Sequence, residues 1–181
     1  MQRRLLLGHP QLGITIGRLC QELIENHQNF ENTVILGLQP RGIFLAERIR
    51  QRLEDFTGIK VDLGYLDSTF FRDDFRRRDS PVRANETRID FLVEGKHVIL
   101  IDDVFYTGRS VRAAMDAMIA FGRPEQVELL VLVERKYSRH VPIMPDYVGR
   151  HVNTIESQRV LVEWKEQGME DDNIWLINTE E

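Results

Sequence analysis

The stretch Val98-Ile99-Leu100-Ile101-Asp102-Asp103-Val104-Phe105-Tyr106-Thr107-Gly108-Arg109-Ser110 decides how this chain is read. Its first four residues are apolar without alternation, which describes a strand covered on both faces, as in a parallel sheet. That strand delivers two adjacent carboxylates to its carboxyl end. A short loop then closes on a Thr-Gly-Arg-Ser turn and opens a helix. A helix start leaves backbone N–H groups unsatisfied and carries partial positive charge, so residues 107–110 suit a phosphate. Gly108 lets the backbone come close to such an anion, and Thr107 and Ser110 add hydroxyl donors. Asp102 and Asp103 are acceptors placed beside it, suited to ribose hydroxyls or to a partly hydrated Mg²⁺. A plainer reading exists: paired aspartates after a strand also occur in metal-dependent receiver domains, and Ser110 alone is a helix cap. The whole ordered pattern is far more specific than its acid pair.

Working outward, Val34-Ile35-Leu36 reads as a short buried strand, followed by the loop Gly37-Leu38-Gln39-Pro40-Arg41-Gly42. Ile43, Ala46, Ile49, Leu53 and Phe56 then share a helical face, as do Ile16, Leu19, Cys20, Leu23, Ile24 and His27 of a first helix predicted near 14–28. Val61 to Leu66 is a further strand. After the central motif, Val111, Ala114, Met115, Met118 and Phe121 describe a helix stopped by Gly122 and Pro124. Leu129 to Val133 is another buried strand, and Val160 to Val162 and Ile174 to Ile177 are late strands. Alternating strands and helices predict an α/β fold with right-handed crossovers: an open, mostly parallel sheet with helices on both faces. In such sheets ligands bind beyond the carboxyl ends of the strands, where the acid pair sits.

The 181 residues suit one domain, taken as 1–181, with no internal repeat. The single cysteine, Cys20, excludes an internal disulfide, fits a reducing compartment and falls on the apolar face of the first helix, where core packing is its expected role. Arg3-Arg4 before Leu5-Leu6-Leu7 looks like the start of a signal peptide, but Gly8-His9-Pro10 ends the apolar run too early. The longest strongly apolar run, Leu129 to Val133, is too short to cross a membrane, so the expected location is cytoplasmic. The five histidines show no metal-ligand spacing. The net charge is 24 − 29 = −5. It is concentrated at the end of the chain, where residues 161–181 hold one basic and seven acidic side chains. Against that trend, Arg72, Arg76, Arg77, Arg78, Arg83 and Arg88 fall close together among only Asp73, Asp74, Asp79 and Glu86. Such a run is either a solvated loop, an anion-binding lid or a nucleic-acid contact.

The central motif resembles the signature by which type I phosphoribosyltransferases bind phosphoribosyl diphosphate (PRPP). Tyr106 narrows the resemblance, because members acting on 6-oxopurines usually carry an acid there. The run Asp102-Asp103-Val104-Phe105-Tyr106-Thr107-Gly108-Arg109-Ser110-Val111-Arg112-Ala113-Ala114-Met115-Asp116-Ala117 is similar to the PyrR family, pyrimidine-operon attenuation regulators that are also uracil phosphoribosyltransferases. Gly37 to Ile43, Phe71-Arg72-Asp73-Asp74, Phe121-Gly122-Arg123-Pro124 and Asp146-Tyr147-Val148-Gly149 extend the likeness over roughly residues 14 to 177.

The resemblance implies a type I phosphoribosyltransferase fold with a flexible loop near 69–88 and a small hood formed by about 135–160 and the N-terminal segment. It implies that residues 98–110 bind PRPP, with Asp102 and Asp103 as catalytic acids and Mg²⁺ contacts. Gln39, Pro40, Arg41 and Gly42 would form the pyrophosphate loop, with Arg41 catalytic. A cis Gln39–Pro40 bond is expected there, because related enzymes often have a cis peptide in this loop and cis costs least before proline. Arg72 and Arg88 would reach phosphate from the loop, and Arg135 and the backbone at Val160 would lie around uracil. The implied partners are PRPP, uracil and UMP, a pyrimidine-operon leader mRNA, and further copies of the chain in a homodimer or homotetramer. The alternatives are a weakly catalytic RNA-binding attenuator and a phosphoribosyltransferase for another base.

Two departures stand out. Where the family commonly reads Asp-Arg-Gly-His-Arg-Glu-Leu-Pro, this chain has Glu134-Arg135-Lys136-Tyr137-Ser138-Arg139-His140-Val141-Pro142, one residue longer and without the glycine. On the first helix, which in relatives grips RNA, Arg18 is the remaining basic candidate, while Glu22 and Glu25 carry the opposite sign. RNA affinity rests largely on phosphate neutralisation, so a near-neutral body with an acidic end predicts weak binding.

Overall fold

The apolar run Val98–Ile101 lies at the centre of a sheet, where β4 (His97–Phe105) pairs in parallel with β2 (Thr33–Leu38) and β5 (Gln126–Lys136). Next to β2 runs β3 (Asp62–Leu66), and next to β5 runs β6 (Tyr147–Asn153), giving the order β3-β2-β4-β5-β6 with every pairing parallel. The computed structural model describes residues 2–73 and 83–178. Arg76, Arg77, Arg78, Asp74 and Asp79 of the expected flexible loop lie outside the described residues, as do Glu180 and Glu181.

Side chains alternate along a strand, so each face of the sheet collects its own set. Ile35, Ile99, Ile101, Leu130 and Leu132 pack beneath α1 (His9–His27) and α2 (Gly42–Thr57). Val34, Leu36, Val98, Leu100, Leu129 and Val131 pack against α3 (Arg109–Met118). Each such aliphatic side chain contributes roughly 2 kcal/mol by leaving water. Helices on both faces are therefore a consequence of strands apolar on both faces. Among the described residues, no helix is long and apolar enough to cross a membrane.

Three elements differ from the sequence reading. The first helix begins at His9, earlier than the predicted residue 14, because Pro10 fits the first turn, where a missing N–H removes no helical bond. The central strand continues through Asp102 and Asp103 to Phe105, since β5 continues beside it and supplies partners at Asp102↔Val131 and Phe105↔Glu134. The late strands do not join the parallel sheet. β7 (Gln158–Glu163) and β8 (Asn173–Asn178) form an antiparallel hairpin, and β1 (Arg3–Leu7) adds to it in the order β1-β8-β7. The apolar Leu5–Leu7 run is thus an edge strand of this second sheet, which forms the hood. Its strands are residues 3–7, 158–163 and 173–178.

Arg48 of α2 joins the two sheets. Its guanidinium lies 4.4 Å from the centre of the fully buried Trp164 ring and donates to both Asp172 oxygens at 3.0 and 2.9 Å and to Glu166 at 2.9 Å. Asp172 Oδ1 also accepts the Lys165 amide at 2.8 Å. Removing the guanidinium leaves a buried carboxylate short of a counter-charge. Arg48→Met is expected to lower stability by about 2 kcal/mol, read as a reduced urea midpoint.

Candidate active site

β2 stops at Leu38, level with the end of the apolar run of β4, so the last residues of β4 have a sheet neighbour on the β5 side alone. The β2–α2 loop crosses the open side. Gly42 makes that crossing close: a Cβ there would stand 2.6 Å from the Ile101 carbonyl oxygen and 3.0 Å from Asp102 Cα. Only hydrogen fits. The loop's Gln39–Pro40 bond is cis, as expected. Gln39 is tied at its amide to the Leu66 carbonyl (2.9 Å) and at its side chain to the Glu86 carbonyl (3.2 Å).

This crossing sets Arg41 over the acid pair. Arg41 Nε lies 3.1 Å from Asp103 Oδ2. The two acids spend one oxygen each on the backbone, Asp102 Oδ1 accepting the Asp103 amide and Asp103 Oδ1 the Val104 amide, both at 2.8 Å. Asp103 is buried, and its Oδ2 has no hydrogen bond within the protein: the Arg41 contact is an ion pair without hydrogen-bond alignment. Burial, and then the charge of Asp103, push the Asp102 carboxyl well above the ordinary carboxylate range.

A cavity of about 340 Å³ opens over these groups. Asp102, Asp103 and Val104 form its floor, Arg41, Arg72 and Arg83 supply cationic walls, and Ser68, Thr69, Asn85 and Ser110 supply neutral donors. The geometry suits a ligand with anionic oxygens at one end and hydroxyls at the other. Arg72 Nη1 donates to Ser110 Oγ at 2.9 Å, so the arginine-rich segment reaches the start of α3. There Gly108 has φ +85°, and a Cβ on it would meet Val141 at 2.6 Å. The Thr107 carbonyl accepts the His140 amide at 2.9 Å, which pins the loop after β5 over the turn.

The expected site residues therefore separate. Asp102, Asp103, Arg41, Gln39, Pro40, Arg72, Val104 and Ser110 share one cleft. Val98, Ile99, Leu100, Ile101 and Phe105 are core residues that carry the motif without facing the cavity. Arg88 is not among the lining residues; its backbone forms a two-way bridge with Tyr65, 2.8 Å in each direction. A second, smaller cavity of about 120 Å³ is lined by Tyr106, Arg135, Thr154 and the loop 137–140. Arg135 is buried with its guanidinium 3.7 Å from the Tyr106 ring centre, donating to Thr154 Oγ1 (3.0 Å) and the Gln158 carbonyl (2.7 Å). Val160 is buried on β7 opposite Leu176 and does not line this cavity. Arg18 donates to Glu22 at 2.5 Å and to the carbonyls of Val148 and Gly149 at 3.2 and 2.7 Å.

Sequence reasoning did not select Ser68, Thr69, Arg83 or Asn85. The first two follow the end of β3, and the rule that ligands gather at strand carboxyl ends points to them. Arg83 belongs to the arginine-rich run read above as a candidate anion-binding lid, and Asn85 carries no local signal.

The profile of the Phosphoribosyl transferase domain family matches residues 4–167. A Bifunctional protein PyrR from Limosilactobacillus fermentum is 45% identical over 157 residues, covering 85% of this chain and 87% of that protein. Another from Listeria monocytogenes is 42% identical over 167 residues, covering 91% and 90%. The chain belongs to the PyrR family of phosphoribosyltransferases. Two solved structures agree on the fold alone. The hypoxanthine phosphoribosyltransferase of Trypanosoma cruzi superimposes with TM-score 0.71 at 16% identity, over 98% of this chain and 97% of that one. An HGPRT-ase from Leishmania tarentolae in complex with GMP gives 0.70 at 19%, over 98% of each chain.

The raised Asp102 carboxyl has a consequence for the free protein. The unfolded chain ionises Asp102 near pH ~3.9 and the folded chain only at higher pH, so its contribution to stability is full below that pH and is lost as pH rises. Asp102→Asn removes this loss while keeping an oxygen for the Asp103 amide. In chelator, the variant is expected to unfold at a higher temperature than wild type at neutral pH, with the difference closing near pH ~4, by thermal melts at both.

Proposed function

We propose that the chain transfers the phosphoribosyl group of PRPP to uracil, giving UMP and diphosphate. The observation that carries this reading is the convergence of the buried, partly unsatisfied acid pair with Arg41 and Arg72 in one cleft beside the α3 turn. The bond from ribose C1 to the diphosphate oxygen breaks with its electron pair leaving on diphosphate, a bond from C1 to uracil N1 forms, and the N1 proton passes to the leaving diphosphate or to water. Positive charge gathers on the ribose and negative charge on the leaving group, so positioning and charge stabilisation supply the catalysis. Arg41, as first cation of the pyrophosphate loop, and Arg72 bind the departing diphosphate. Asp102 and Asp103 hold the ribose hydroxyls and favour the developing cation. The turn 107–110 receives the 5′-phosphate at the start of α3. Tyr106 and Arg135 border the base.

The residues present fit Mg²⁺ in one manner. Among the described residues no cluster of three or more histidine, cysteine or acidic side chains gathers, so the protein offers no closed cage. Asp103 Oδ2, buried and without a hydrogen bond, would be the acceptor facing such a cation, with Asp102 adjoining it. Bound there, Mg²⁺ supplies positive charge against the leaving diphosphate. Asp103→Asn is expected to lower kcat/KM for PRPP and uracil at least about a hundredfold with unchanged circular dichroism; normal turnover would remove the acid pair from the mechanism. Assayed with uracil, hypoxanthine, guanine and orotate, the wild-type chain is expected to turn over uracil fastest.

The bifunctional designation of the relatives favours a second activity. In this reading a uridine nucleotide in the same cleft promotes binding of a pyrimidine-operon leader mRNA, in a cytoplasmic homodimer or homotetramer. Arg18 is already committed to Glu22 and two carbonyls, which argues for modest affinity from a single chain. UMP-stimulated binding is expected to appear at low salt and to fall steeply across a salt titration; its absence at low salt would confine the chain to catalysis.

A further inference from the structure

Tyr137 is the residue that the fold does not explain. Its backbone is left-handed (φ +66°), a conformation disfavoured for a bulky side chain, and the residue is 89% exposed. The contrast with Phe30 is informative: Phe30 has a similar φ of +54°, but it is buried and stacked on His27. Tyr137 makes no hydrogen bond, ion pair or ring contact among the described residues. The turn that holds it is fixed from elsewhere, by Ser138 Oγ donating to the Arg135 carbonyl at 3.0 Å. Tyr137 nevertheless stands at one place of consequence. It lines the small cavity floored by the Tyr106–Arg135 stack, and also the outer cleft that continues past Met144. It lies in the segment where the chain departs from the family run by an added residue and a missing glycine.

We propose that the Tyr137 ring covers the pyrimidine held in that cavity, stacking on the base from the side opposite the Tyr106–Arg135 floor, and so acts as a base-binding residue. The proposal rests on the uracil reading above and deepens it. An aromatic face is satisfied by any flat heterocycle, and here the only such partner within the proposed reaction is the base or the nucleotide made from it.

Tyr137→Gly separates the roles, because glycine adopts a positive φ without strain and removes the ring. The variant is expected to raise the KM for uracil and the Kd for UMP roughly tenfold while the KM for PRPP stays within about twofold. Its melting temperature is expected to equal or exceed that of wild type. Tyr137→Phe is expected to keep wild-type affinity, since the ring and not the hydroxyl makes the contact. Unchanged uracil KM and UMP Kd in Tyr137→Gly overturn the proposal. A wild-type chain without uracil turnover overturns the uracil reading instead, and calorimetric UMP binding still decides the place of Tyr137. If wild type neither turns over uracil nor binds UMP, both fall.

Discussion

The close passage of the β2–α2 loop across β4 is the constraint on which the site depends. With hydrogen as the side chain at Gly42, the loop lies against the Ile101 carbonyl and Asp102 Cα. That contact brings Arg41 to within 3.1 Å of Asp103. It is possible because β2 ends before β4 does, which leaves one side of the acid-bearing strand without a sheet neighbour. A longer β2 would occupy the space the loop needs. Arg41 and the acid pair are therefore neighbours through strand length and backbone approach, and no long-range attraction has to be invoked.

The same passage sets the acids apart from ordinary surface carboxylates. Asp103 is buried with one oxygen unsatisfied, and Asp102 is held towards its protonated form by burial and by its neighbour. In the free protein this arrangement is unfavourable, as expected where polar groups are placed for a ligand and not for the fold. The surrounding apolar sheet, with Val98 to Ile101 buried on both sides, offsets that disadvantage.

The second sheet is a separate unit of the fold. The hood is an antiparallel sheet of chain termini, held to α2 through Arg48 and to β5 through Arg135. Arg135 reaches Tyr106 on one side and the start of β7 on the other, so the wall of the smaller cavity and the placement of the second sheet share one side chain. The loop between β5 and β6 completes that wall, and in this chain its exposed aromatic is Tyr137.

Much of the larger cleft was legible in the sequence. The apolar runs of β2, β4 and β5, the acid pair and the glycine turn are local patterns that follow from burial or from the unsatisfied amides of a helix start, whereas the loop around Arg41 was marked by the family resemblance. The sequence did not by itself separate the late strands from the parallel sheet. Val160 to Val162 and Ile174 to Ile177 are short apolar runs whose partners are set by pairing with each other and with Arg3–Leu7, at the far end of the chain. It also did not show that Arg83 and Asn85 line the cleft while Arg88 bridges to Tyr65, because that depends on where a long excursion returns. Local order is written in spacing and residue type; which distant segments meet is decided by packing, and only the folded chain contains it.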